Sequence, residues 1–292
     1  MLSLTIVVQL IITGLLKGSI YALAAIGMTL IFGVMNIINF AHGSLMMVAM
    51  YISFWLSTLL GVDPYVSLIV TVPTLFVFGG FIEKYIIHRT LNAPEINQFL
   101  LTMGILLFLE NAALFLFSPD LRAIRVGYQG ATVSIGEIIV GLNPLAASMI
   151  CLVLTIALYL LLKKTDMGRV LRAVAADREA ARLMGINLNH AYFIAFGIGA
   201  ACVAAAGTII SPMYYIFPHV GHLFLLISFV IVVLGGKGNF IGAFLGGLIV
   251  GVVESLSVLV VPGSTKDAIV FGIFILVLLL RPEGLFGKRQ AA

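Results

Sequence analysis

Two histidines three residues apart, His219 and His222 in "FPHVGHL", have a spacing that can bring two imidazoles to one metal ion. No Cys, Asp or Glu stands near them in the sequence to complete a ligand set. A loop at a membrane interface accounts for them, and no metal site is expected. Glu110, with Asn111 beside it, and Glu254 attract notice because they interrupt long apolar stretches. A carboxylate at mid-bilayer costs about 2.5–3.5 kcal/mol on insertion scales, so such groups usually face a cavity or a partner. Glu254 falls nearer the outer end of its stretch, where that cost declines. Asn36, Asn39 and His42 sit inside a run, residues 18–62, that contains no Asp, Glu, Lys or Arg. With Glu110 they are the candidates for lining or gating a pathway.

Covalent chemistry is not indicated, and no residue is assigned as catalytic. The chain has no G-x-x-x-x-G-K-[ST]; "GGKGN" at 235–239 is too short and lacks the Ser/Thr. There is no H-E-x-x-H and no nucleophile elbow. His42, Gly43 and Ser44 are adjacent in sequence, which does not itself align a base with a nucleophile. An intramembrane protease is therefore a weak reading, and no cofactor is expected on this chain.

The elements that must hold these residues are apolar helices. The chain is 62% hydrophobic and 10% charged, against about 25% charged in soluble domains. Uncharged runs cover 18–62, 64–82, 138–162, 183–236 and 238–253. About 20 apolar residues carry a helix across a hydrocarbon core. A β-barrel would alternate polar and apolar residues and give no such runs. The fold class is an all-α polytopic membrane protein. Its net charge of +4 does not suggest nucleic acid, because the basic residues cluster in short loops. Cys151 and Cys202 lie in apolar spans and are expected as reduced thiols. The first residues lack a signal peptide's basic region and cleavage site, so they are expected to remain as a first apolar segment.

Run lengths and breakers predict nine spans: 4–35, 40–60, 66–88, 97–118, 143–163, 190–210, 222–235, 240–261 and 267–281. Eight or ten also fit. The first is long enough to divide into an interfacial piece before Lys17 and a true span. The turn at "NIINFAH" is expected at the cytoplasmic interface, with Asn36 or Asn39 capping a helix end. Lys and Arg concentrate at 84–89, at 163–182 and at the C-terminus, which places those segments in the cytoplasm and the N-terminus outside. The segment 119–142 should face outside. The whole chain, 1–292, reads as one domain with a cytoplasmic loop at 163–189.

That cytoplasmic segment, "KKTDMGRVLRAVAADREAARLMGINLNH", predicts two short helices. Thr165 or Asp166 caps the first; Asp177 caps the second, which closes at Gly185. Leu183 and Met184 leave an apolar tip on a charged rod. Such a rod either lies on anionic membrane lipids or docks a soluble partner. Gly242/Gly246 and Gly247/Gly251 are small-xxx-small pairs that let helices approach closely, within the chain or between subunits.

Several blocks carry a resemblance. "GSIYALAAIGMTLIFGVMNIINFAHGSLMMVAMY", the loop "TDMGRVLRAVAADREAARLMGIN", "VVLGGKGNFIGAFLGGLIVGVVES" and "RPEGLFG" together resemble LivH-type permeases of branched-chain amino acid ABC importers. The resemblance extends from residue 18 to 287. It implies a BtuC-like core and a coupling helix that includes Thr165, Gly168, Arg169, Arg172, Asp177, Glu179, Ala181 and Gly185. It implies a paralogous permease subunit, two ATPase subunits that bind ATP and Mg, and a periplasmic or lipid-anchored binding protein that delivers substrate. The implied setting is a bacterial inner membrane. Related permeases also carry urea and short amides. The alternative reading is a self-sufficient secondary transporter or channel for small organic solutes.

Overall fold

The computed structural model describes residues 4–91, 93–261, 265–281 and 284–286. Pro262, Pro282, Lys288 and Arg289 lie outside them. Among the described residues, seven helices are long and apolar enough to cross a membrane: α1 (Leu4–Met35), α2 (His42–Leu60), α3 (Leu68–Tyr85, extended by a 3-10 turn at Ile87–Thr90), α4 (Glu95–Phe117), α5 (Leu142–Lys164), α8 (Leu188–Ile210) and α10 (Phe240–Ser257). Two apolar helices are shorter, at 15 residues each: α9 (Gly221–Gly235) and α11 (Lys266–Leu280). Between α5 and α8 lie α6 (Asp166–Ala176) and α7 (Arg178–Leu183). A small antiparallel hairpin, β1 (Thr132–Ile135) and β2 (Ile138–Gly141), interrupts the otherwise helical chain inside the 119–142 loop.

α1 and α8 form the centre because their sequences carry small residues on several faces. Along "GIGAACVAAAG" in α8 nearly every residue is buried. A β-carbon on Gly27 of α1 would lie 2.9 Å from Cβ of Cys202 in α8, so the two backbones nearly touch. α3 runs along α8, joined by a Thr208–Thr71 hydroxyl hydrogen bond of 2.9 Å. α10 runs antiparallel to α1: Gly251 meets Gly14 and Gly18, and Gly247 meets Ala22. On its other side α10 meets α9, with Gly242 against Gly235 and Gly246 against Ile231. The two glycine pairs therefore pack within the chain, one on each neighbour. Large apolar side chains such as Phe108, Phe115, Val153 and Leu279 point outward, as a lipid-facing surface requires.

Two expectations change. α1 is one continuous helix of 32 residues, about 48 Å at 1.5 Å per residue, with no break at Lys17. The last apolar helix before the C-terminal one ends at Ser257 rather than at 261. The turn after α1 leads back into the bundle. Asn36 takes a left-handed backbone, φ 54°, and its N–H reaches Phe32 O at 2.7 Å, ending α1 as an Asn at this position can. The chain then folds back along α1, so that α2 starts beside Ala24. Ala24 stands eleven residues before Met35, about 16 Å inward along the helix. Run length located the break; the re-entry follows from tertiary packing.

Candidate functional site

The segment between α5 and α8 is built from successive helix caps. Thr165 Oγ1 accepts from Gly168 N at 3.1 Å, starting α6. Asp177 Oδ1 accepts from Glu179 N at 2.9 Å and Ala180 N at 3.0 Å, starting α7. Gly185 follows with φ 81°; its N–H bonds Arg182 O and the Ile186 N–H bonds Ala181 O. These are the paired bonds of a Schellman stop, which needs a left-handed residue and so favours glycine. Asn187 then caps α8 through His190 N at 3.2 Å. Each turn of this segment is closed by its own capping side chains or backbone bonds.

The segment also docks firmly on the bundle. Gly168, Leu171, Val174 and Ala181 are buried. Gly168 lies against the last turn of α5: a β-carbon there would overlap the Leu162 carbonyl oxygen. Arg172 donates to that same carbonyl. Arg169 pairs with Asp166 one turn away, and Glu179 is exposed in the first turn of α7. Leu183 and Met184 are 87% and 83% exposed at the far end. The result is a braced rod whose apolar tip points away from the bundle. Above it a cavity of about 630 Å³ is lined by Thr29, Gly33, Leu171, Arg172, Gly238 and Phe240.

Asp177→Ala removes the acceptor for two amides and should cost about 1 kcal/mol of local stability. Hydrogen exchange at Glu179 and Ala180 is expected to speed up about fivefold, with the spans unchanged. Unaltered exchange at those two amides would show that the cap is not what holds α7.

The other candidates separate into two places. His42 is fully buried; its Nε2 lies 2.9 Å from Ala24 O, and Nδ1 has no protein partner. Asn39 is also buried, with Oδ1 accepting from Ala41 N at 3.1 Å and Nδ2 unpaired. Asn36 is exposed. Gly43 abuts Gly221, where a β-carbon on either would overlap the other's carbonyl oxygen. The N-termini of α2 and α9 thus meet backbone to backbone inside the bundle.

Glu110 lies elsewhere, seven residues before the end of α4, and faces both histidines. His219 Nδ1 is 3.0 Å from Oε2; His222 Nε2 is 2.8 Å from Oε1 and 3.0 Å from Oε2. The premise that no acid stands near the histidines fails in space, because Glu110 is 109 and 112 residues away in sequence. No sequence signal announces that contact.

The opposite end from the rod carries a second cavity of about 480 Å³, lined by Lys17, Tyr21, Gln129, Asn143 and Tyr214. Beside it Tyr128 donates to Asp63 at 2.7 Å and stacks on Tyr65, whose hydroxyl donates to Asn143 O at 3.2 Å. This clasp ties the 119–142 loop to the α2–α3 turn. Burial, then the Asp63 charge, pushes the Tyr65 phenol up to about 12. Burial and the hydrogen bond to Asp63 raise Tyr128 as well. Both stay protonated donors across the neutral range.

Apolar helices centred on small residues, a cavity at each end and a capped rod at one end suit a membrane transport permease. The chain matches the family described as branched-chain amino acid transport system / permease component over residues 10–278, and it belongs to that family. It is 33% identical to the high-affinity branched-chain amino acid transport system permease protein BraD of Pseudomonas aeruginosa, over 97% of this chain and 96% of that one. It is 31% identical to the LivH permease protein of Escherichia coli with the same coverage. The ribose import permease protein RbsC of Haemophilus influenzae is 26% identical, over 94% of this chain and 84% of that one. No solved structure matches the chain.

Proposed function

We propose that this chain is one membrane subunit of an ATP-driven importer for branched-chain or other small amino acids. It forms half of the pathway beside a paralogous permease. Two ATPase subunits carry ATP and Mg, and a binding protein delivers cargo to the outer face. The observation that carries the reading is the α6–α7 rod, a self-capped element with an exposed apolar tip. Such a tip suits a groove on a soluble partner, and the Gly168–Leu162 contact transmits its movement to α5. Family membership and the branched-chain relatives support the cargo class.

In this reading all nine apolar helices cross an inner membrane, in a BtuC-like arrangement, with the N-terminus outside. The cavity lined by Leu171 and Arg172 is the inner mouth, and the cavity at Lys17 is the outer one. Between them His42, Asn39 and the Gly43–Gly221 contact form the closed gate, whose unpaired Nδ1 and Nδ2 await a partner when it opens. The clasped 119–142 loop is the landing surface for the binding protein.

Leu183→Asp with Met184→Asp tests the rod. Both side chains are exposed, so folding is unaffected. ATP-driven uptake by the reconstituted importer should fall about tenfold, which corresponds to about 1.4 kcal/mol, and the ATPase subunits should co-purify less. Wild-type uptake with both changes in place would remove the coupling role.

A further inference from the structure

We infer that Glu110, His219 and His222 form an exchangeable site for one divalent transition-metal ion of zinc's class. Their three ligand atoms lie within 4.8 Å of one another. Two imidazole nitrogens and a carboxylate oxygen are a donor set that zinc takes at sites retaining an open position. The three ligands come from α4, the loop before α9 and the first turn of α9, so an ion would join three segments.

Burial and exposure are arranged for such an ion. The Glu110 side chain is 3% exposed, while those of His219 and His222 are 57% and 47% exposed. The carboxylate forms a buried floor, and the imidazoles stand at an open rim through which a hydrated cation can arrive. Among the described residues, both ion pairs of Glu110 are to histidine and none is to Lys or Arg. A carboxylate inside an apolar helix is costly without a countercharge, and a divalent ion supplies one. A water molecule would complete the coordination.

The consequence concerns movement. His222 follows Gly221, the residue whose backbone abuts Gly43 at the start of α2. An ion that binds α4 to the start of α9 therefore holds one side of the contact proposed as the gate. That consequence rests on the gate reading; the metal site itself does not.

Untagged full-length chain in nanodiscs, titrated with Co2+ and then Zn2+, provides the test. One Co2+ per chain should bind, give the visible absorption of a tetrahedral or five-coordinate ion, and be displaced by Zn2+. His219→Ala and His222→Ala, at half-exposed positions that folding tolerates, should each weaken binding at least tenfold, and Glu110→Gln should do the same. No binding above a protein-free nanodisc would overturn the proposal. So would binding unchanged by the histidine substitutions, since the ion would then sit elsewhere. Slower uptake with Zn2+, absent in His222→Ala, bears separately on the gate.

Discussion

Gly168→Val is expected to stop ATP-driven uptake while leaving the chain in the membrane. A β-carbon at this position would overlap the Leu162 carbonyl oxygen and lie 2.5 Å from its carbon, and both are backbone atoms that no rotamer change can move aside. The corner between α5 and α6 must open. That breaks the Arg172 bond to the same carbonyl and lifts buried Leu171 and Val174 from their seats. Overpacking of this kind typically costs about 1–3 kcal/mol, concentrated here on the braced segment. Uptake should drop to background, about a hundredfold, equivalent to about 2.7 kcal/mol. Surface expression should stay near normal, because α5 and α8 insert by their own apolarity. Uptake within twofold of wild type would mean that the corner transmits nothing.

Gly251→Leu acts on the bundle itself. A β-carbon there would overlap Gly14 O and lie 2.5 Å from Gly18 Cα, so the change forces α1 and α10 apart along their shared seam. Helices in lipid gain no hydrophobic drive to reassociate; close packing holds them. Folded, monodisperse protein should fall about tenfold in detergent extracts, in line with the cost of inserting bulk into a tight interface. Gly104→Ala is the control: nothing lies within 4 Å of a β-carbon at that position in α4, so yield should not change. Equal yields for the two variants would show that the glycine seam is not what joins α1 to α10.

Much of the fold was legible because membrane helices are written in apolar run length. α5, α8 and α9 begin and end within two residues of their expected bounds. The α6–α7 rod was legible for another reason: Thr165, Asp177 and Gly185 act on backbone groups two or three residues away, and local chemistry is visible in local sequence. What was not legible depended on distant contacts. The re-entry after α1 needs Ala24 to receive His42, and the Asp63–Tyr128 clasp joins residues 65 apart. His222 read as part of an interfacial loop and Glu110 as a pathway candidate, and only the fold puts them together. The 132–141 hairpin was missed because a span-by-span reading assigns such a segment to a loop.

Uptake of radiolabelled leucine into liposomes tests the central claim most directly, with the purified chain alone compared against the chain assembled with the proposed partner permease, ATPase subunits and binding protein. Accumulation is predicted only in the assembled system and only with ATP and Mg. Gradient-driven accumulation by the chain alone would contradict the account.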